Sequence, residues 1–287
     1  MNSDKNKKKQ VAIVTGSSSG IGLETSLLLS RNGFYTYATT RNLDKSTVIA
    51  NLIQREKLSL EFLQLNVNND ESVKKAIQNI TSEQERIDVL VNNAGYALVG
   101  PLEELSVEEF REQFETNVFG VIRVTQAVLP IMRRQRNGTI VNVSSVAGKI
   151  GFPLTSAYVS SKFALEGLSE SLVYEVSQFG IKVIIIEPGV IKTNFNNNLK
   201  VGKRVSTSSD SPYGEITQKR ISRFTPRFES GTPPIQVAKV ILNAIISAKN
   251  QSSELRYLVG NDAIKLIEIR NNMSDIEFSK IVKKGVL

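Results

Sequence analysis

Histidine, cysteine and tryptophan are all absent from this 287-residue chain. Without cysteine there can be no disulfide, thiolate nucleophile or iron–sulfur ligand, which suits a reducing cytoplasm. Without histidine as well, a conventional zinc site, a Ser-His-Asp triad and a Cys-His pair are excluded. Long apolar runs are also missing: none approaches the roughly twenty residues that span a bilayer. The opening "MNSDKNKKKQ" carries no apolar h-region and does not read as a secretory signal. A cytoplasmic protein with no membrane span is expected. The apolar share of 40% and charged share of 22% are those of an ordinary folded domain.

Acidic residues are in deficit, and the net charge is +8. Residues 1 to 10 hold four Lys against one Asp, and residues 196 to 230 hold seven Lys or Arg against three Asp or Glu. A polar tail and one basic loop therefore carry most of the excess. No basic stripe is read along a helix, so nucleic acid is not expected as a partner.

What is present alternates between two periodicities. Strand-like runs are read at 11–15, 34–40, 60–67, 87–93, 138–145, 181–189 and 255–260. Between them lie helical patterns up to Asn32, after Leu43, and over 70–81, 107–134, 156–179 and 233–249, with a helical tail from 261. Apolar strands alternating with helices predict a Rossmann-type, doubly wound α/β fold. Seven mostly parallel strands with helices on both faces are expected. Residues 1–10 read as a flexible tail and 11–287 as one domain. The segment 190–232 is polar and turn-rich and reads as a substrate lid.

Two motifs carry chemistry. "TGSSSGIG" sets Gly16, Gly20 and Gly22 between the first strand and first helix, where main-chain N–H groups can receive a pyrophosphate. A tight turn beside a closely packed helix is the bland alternative. "YVSSK" sets Tyr158 and Lys162 one turn apart on one helix face. An ammonium about 4–5 Å from a phenol, at an effective dielectric near 20, favours the phenolate by roughly 4 kcal/mol. That is about three pKa units before desolvation opposes it. Such a pair could act as a general acid/base near neutrality, the work histidine does elsewhere.

"TGSSSGIG", "NNAG" at 92–95, "YVSSK" at 158–162 and "PGVIKT" at 188–193 occur in that order. Together they resemble the classical short-chain dehydrogenase/reductase family over about residues 10 to 260. "NNAGYALVGPLEELS" and "YATTRN" are most similar to its hydroxysteroid and retinol dehydrogenase branch. The resemblance implies that Tyr158 exchanges the substrate proton and that Lys162 lowers its pKa and binds the nicotinamide ribose. It implies that Ser145, rather than its neighbour Ser144, polarises the substrate oxygen, and that Asn117 holds a relay water. It further implies cofactor contacts from Gly16, Ser18, Ser19, Gly20, Ile21, Gly22, Asn66, Val67, Asn93, Ala94, Gly95, Tyr158, Lys162, Pro188, Gly189 and Thr193. Asn66 stands where the family usually has an aspartate, but its carbonyl can accept the same hydrogen bond.

The end of the second strand selects between nicotinamide nucleotides, because an acid there binds the ribose 2′-hydroxyl and repels a 2′-phosphate. Here Thr40 holds that position and Arg41 follows. A guanidinium can pair bidentately with phosphate, so NADP(H) is expected over NAD(H). A surface arginine without a role is the alternative. An apolar carbonyl or alcohol substrate is expected against Tyr96, Leu98, Val99, Phe152, Leu154 and Phe195, unless these side chains fill core or a subunit contact. A dimer or tetramer is expected; the resemblance implies pairing through helices 107–134 and 156–179, although buried helices of a doubly wound sheet have similar composition. The readings from other classes are a non-catalytic NADP-binding regulator, and sugar-nucleotide epimerase or dehydratase chemistry, which the glycine spacing and chain length disfavour.

Overall fold

The computed structural model of the protein describes residues 8–43, 47–193, 199–207 and 211–286. The first seven residues of the expected tail and Phe195 of the expected substrate wall lie outside them.

One seven-stranded sheet organises the molecule. Its strands are β1 (Val11–Val14), β2 (Tyr35–Thr40), β3 (Leu60–Gln64), β4 (Val89–Asn92), β6 (Gly138–Val143), β7 (Ile181–Pro188) and β9 (Arg256–Val259). They run in the order β3-β2-β1-β4-β6-β7-β9, and every pairing is parallel. The chain winds from β1 outward to β3, then crosses back to β4 on the other side of β1. That reversal opens a crevice at the carboxyl ends of β1 and β4, where such sheets bind ligands.

Burial on both faces explains the near-continuous apolar strands: β1, β4 and β6 are buried throughout. On one face Ile13, Leu90 and Ile140 pack against α3 (Asp70–Gln84), α5 (Gly120–Gln135) and α6 (Ser156–Val176). On the other, Val14, Val91 and Ile184 meet α1 (Gly20–Arg31) and α8 (Pro234–Lys249). Each fully buried Leu or Ile contributes about 2 kcal/mol of transfer free energy. α2 (Thr47–Glu56) covers β2 and β3, and α9 (Asn261–Asn271) and α10 (Asp275–Val286) close the chain.

Local signals set the helix ends. Asn69 caps α3 by accepting from Ser72 N at 2.7 Å, with Asp70 and Glu71 in the first turn of the helix dipole. Ser106 and Glu109 form a reciprocal capping box on α4 (Val107–Phe114).

Four expectations need correction. The helical pattern over 107–134 is not one α-helix: α4 ends at Phe114, residues Glu115–Phe119 form a π turn, and α5 begins at Gly120. Residues 95–100, expected to form part of a substrate wall, contain β5 (Ala97–Val99), which pairs in parallel with β8 (Leu199–Val201). The turn-rich 190–232 segment contains both β8 and a sixteen-residue helix, α7 (Gly214–Glu229). Pro226 inside that helix and the flanking Ser and Thr residues masked its period. α7 also carries Lys219, Arg220, Arg223 and Arg227, so a row of basic residues does run along a helix.

Candidate active site

The glycine turn is shaped by contacts that exclude side chains. Gly16 has φ +69°, and a Cβ there would stand 2.8 Å from Ala94 Cα. Gly22 has no room either, because a Cβ would meet Asn93 Nδ2 and Gly16 O at 2.5 Å. Gly20 has φ +59° and faces the Thr193 side chain. Only glycine avoids both the positive-φ strain and the clash at Gly16. α1 opens at Gly20 with no side-chain cap and no acid in its first turn, so its N-terminal dipole is left for an anion. Ser18, Ser19 and Ile21 belong to the same turn and first helical residues.

The β4 end is tied to that turn through Thr15, a residue the motif reading passed over although it begins "TGSSSGIG". Asn93 N and Ala94 N donate to Thr15 Oγ1 at 2.9 and 3.0 Å. Asn93 Nδ2 returns hydrogen bonds to the carbonyls of Thr15 and Gly16 at 2.9 and 3.1 Å. The end of β2 joins in, since Ser17 N donates to Thr39 O at 2.8 Å. Thr40 is buried there and donates to Asn42 O, while Arg41 is exposed beside it. Asn66 Oδ1 accepts from Asn68 N at 3.2 Å in its own turn. The Val67 carbonyl is held by Arg123 at 2.6 Å, and its side chain lies against Gly120.

The four candidate catalytic side chains converge from three elements. Asn117 sits in the π turn, a distortion frequent at functional sites. Its Nδ2 donates to Tyr96 O at 3.0 Å and Ser161 Oγ at 3.1 Å, and its Oδ1 accepts from Tyr96 N at 3.2 Å. Gly95 leaves the space that Asn117 Oδ1 occupies. Ser145 follows β6, accepts from Ala147 N at 3.1 Å and is hydrogen-bonded to the Tyr158 hydroxyl. Ser144 is buried with no partner for its hydroxyl, which leaves Ser145 as the serine on the Tyr158 side. Lys162 Nζ donates to Val143 O at 2.8 Å and lies 5.8 Å from the Tyr158 ring centroid. Pro188 O is 3.4 Å from Ser145 Oγ, and Gly189 follows at the end of β7. A Cβ on Gly189 would collide with Asp262, whose Oδ2 accepts from Val190 N at 2.7 Å.

The electrostatics correct one expectation. Burial raises the Tyr158 phenol above its usual pKa, and the Ser145 hydrogen bond only partly opposes this. Burial likewise lowers Lys162 to about 8, with Glu166 pulling the other way. Among the protein groups, burial is the largest effect on the phenol, and its direction is opposite to the one expected from the lysine. The ammonium lies 5.8 Å from the ring centroid and donates to the Val143 carbonyl.

The expected substrate wall is only partly a wall. Leu98 and Val99 lie at 3% and 1% exposure, Leu98 among Leu105 and Ala157, so they are core. Phe152 and Leu154 instead line a cleft of about 590 Å³ beside the start of α6, with Pro101, Tyr213 and Ile216. Leu154 is held at φ +60°, a strained value for a branched side chain. The Tyr96 ring carries the Lys200 ammonium 4.5 Å above it. The segment after β8 is seated on acids: Lys203 N donates to Glu109 Oε1 at 2.8 Å, Ser211 Oγ to Glu104 at 2.5 Å and Tyr213 OH to Glu103 at 2.6 Å. Among the described residues no helix is long and apolar enough to cross a membrane, and no acidic cluster could hold a metal.

Comparison with known proteins agrees with this geometry. The short chain dehydrogenase family model matches residues 10–203. Human retinol dehydrogenase 8 is 43% identical over 264 residues, covering 86% of this chain and 82% of that protein. A short-chain dehydrogenase structure from Streptomyces avermitilis superposes with a TM-score of 0.78 at 32% identity, covering 97% of this chain and 99% of that one. The structure of ElxO with NADP bound matches with a TM-score of 0.73 at 30% identity, covering 90% and 100%. The glycine turn at the crevice, the Asn-Ser-Tyr-Lys cluster above it and these likenesses place the chain in the short-chain dehydrogenase/reductase family, oxidoreductases acting between CH–OH and C=O with a nicotinamide cofactor.

Proposed function

We propose that this protein is an NADP-dependent reductase or dehydrogenase that interconverts an apolar ketone or aldehyde with its alcohol. The observation that carries this reading is the convergence of Tyr158, Ser145, Lys162 and Asn117 at the carboxyl edge of the sheet, beside the glycine turn. Residues 11–287 act as one catalytic domain in this reading, with 190–232 covering the substrate.

A dinucleotide fits the cradle: Gly16 and Gly22 leave main chain where side chains would fill it, and α1 presents its N-terminus there. When bound, the cofactor supplies or accepts the hydride. Arg41 is flanked in the sequence by Thr40 and Asn42 rather than by an acid, which favours a 2′-phosphate, and the neighbour ElxO carries NADP. Tyr158 passes the proton to or from the substrate oxygen, and Ser145 orients that oxygen with its hydroxyl. Lys162, anchored on Val143 O, keeps positive charge close to the phenol. Asn117, locked to the Tyr96 main chain and Ser161, holds the inner end of the proton path. Phe152, Leu154 and Tyr213 provide the apolar wall of the cleft. The curated name of the relative, retinol dehydrogenase, agrees with a bulky apolar substrate.

Purified protein should oxidise NADPH with a panel of bulky ketones and aldehydes, with kcat/KM at least about tenfold above that with NADH. Equal or better use of NADH would overturn the cofactor assignment, and no turnover across the panel would favour a binding protein. The partner is proposed to be a second copy of the chain, in the cytoplasm. Phe163, Gly167 and Tyr174 lie on one exposed face of α6, with Phe119 exposed at the start of α5. Sedimentation should give a dimer or larger, and Phe163→Glu with Tyr174→Glu should give monomer. A monomeric wild type rules this face out as an interface.

A further inference from the structure

Behind Lys162, on the side away from Tyr158, lies a charged cluster that the proposed chemistry does not use. Tyr158, Lys162 and Glu166 follow one another at four-residue spacing along α6, so each is a turn from the next. Glu166 is 4% exposed and Glu187, near the end of β7, is 3% exposed. The two carboxyls are within hydrogen-bond range of each other. Glu166 Oε1 and Glu187 Oε1 are both buried and accept no hydrogen bond from the described residues. Two buried carboxyl oxygens in contact repel unless a proton lies between them.

Arg256 on β9 holds the pair from outside. Its Nε is 3.1 Å from Glu166 Oε2 and 3.6 Å from Glu187 Oε1, and its Nη2 is 2.8 Å from Glu170. Gly148 fits above, where a Cβ would meet Glu166 Cγ and Ser144 Oγ at 2.8 Å. The charged groups facing the pair are Lys162 and Glu170 from α6, Arg256 from β9 and Lys149 from the turn after β6. Nothing in the geometry puts either carboxyl on the substrate, so these are positioning groups.

We infer that Glu166 and Glu187 form a proton-sharing carboxyl pair, clamped by Arg256, that sets the charge of Lys162 from behind. The inference rests on the role proposed for Lys162. Two directions agree with it. Burial, followed by the Glu166 charge, raises Glu187 from 4.5 to about 7, while Glu166 raises Lys162 against the larger effect of burial. As pH rises through about 7 the shared proton leaves, and the added negative charge helps to keep the lysine protonated.

Two measurements test this on the full chain. The first needs no turnover. Because the folded Glu187 holds its proton more tightly than the unfolded chain does, this stability is present below about pH 4.5 and lost as pH rises through about 7. Glu187→Gln should remove that loss, narrowing the wild-type fall in Tm between pH 5 and 8 by about 5 °C. Overlapping Tm–pH curves overturn the shared proton.

The second is the pH profile of kcat for carbonyl reduction. Glu166→Gln removes a negative charge beside Lys162, so its alkaline limb should move roughly one pH unit toward acid. Glu187→Gln removes the charge that the pair gains above about pH 7 and should move the limb in the same direction but by less, because Glu166 is the carboxylate that acts on Lys162 directly. A Glu166→Gln limb that overlays the wild type overturns the coupling to Lys162. If the wild type turns over no carbonyl substrate, the role proposed for Lys162 fails and the coupling with it. The Tm–pH comparison then decides the carboxyl pair separately.

Discussion

Tyr158→Phe should lower kcat for carbonyl reduction by roughly 10³-fold, the loss expected when a positioned general acid is removed. The substitution deletes one oxygen and keeps the ring, so packing around α6 changes little. Dissociation of NADPH, followed by its fluorescence, should stay within about threefold, and Tm within a few degrees. The size of the loss follows from the surroundings. Burial holds the phenol protonated, and Ser145 fixes its hydroxyl. No histidine exists anywhere in the chain to take over the proton. Full kcat in the phenylalanine variant would remove Tyr158 from the chemistry. Loss of NADPH binding together with activity would instead mean that the tyrosine serves the cofactor.

Thr40→Asp should lower kcat/KM for NADPH by roughly 10²-fold and raise it for NADH. Thr40 is 8% exposed at the end of β2, one residue from the carbonyl that accepts Ser17 N of the glycine turn. A carboxylate there would repel a bound 2′-phosphate, taken for scale at a separation of about 4 Å. At an effective dielectric near 20 that repulsion is about 4 kcal/mol per unit charge. Arg41 next to it offsets part, leaving about 2–3 kcal/mol, or about 10²-fold. Kinetics with both cofactors, alongside Tm to confirm folding, measure this. An unchanged NADPH preference in the folded variant would mean that the adenosine ribose lies elsewhere.

The strand and helix alternation was legible because each parallel strand is buried on both faces. A run such as "IKVIIIEPG" can then only be a central strand, and β7 spans Ile181–Pro188. Gly16, Gly20 and Gly22 were legible for a related reason. Positive φ and contact with the β4 end leave no alternative to glycine, so the requirement is written in residue type. The helix α7 was not legible. Its polar composition and Pro226 match a loop, and only its seat near the acids after β5 gives its neighbourhood a partner.

Side-chain roles divided in the same way. Tyr158 and Lys162 share a helix face by spacing alone, but the balance between ammonium and burial depends on what surrounds them. Leu98 and Val99 resembled a substrate wall because apolar composition does not distinguish a cleft from a core. Glu166 and Glu187 are twenty-one positions apart and carried no local pattern at all.

From residue order alone came the doubly wound architecture, the glycine turn between the first strand and helix, and the tyrosine–lysine pair on one face. These depend on local periodicity and on steric demands that a single residue type meets. The tertiary structure alone decided that burial raises the Tyr158 phenol. It also decided that the π turn points Asn117 at Ser161, and that a carboxyl pair stands behind the lysine. Each of these depends on solvent exclusion and on contacts between distant segments, which exist only once the chain has packed.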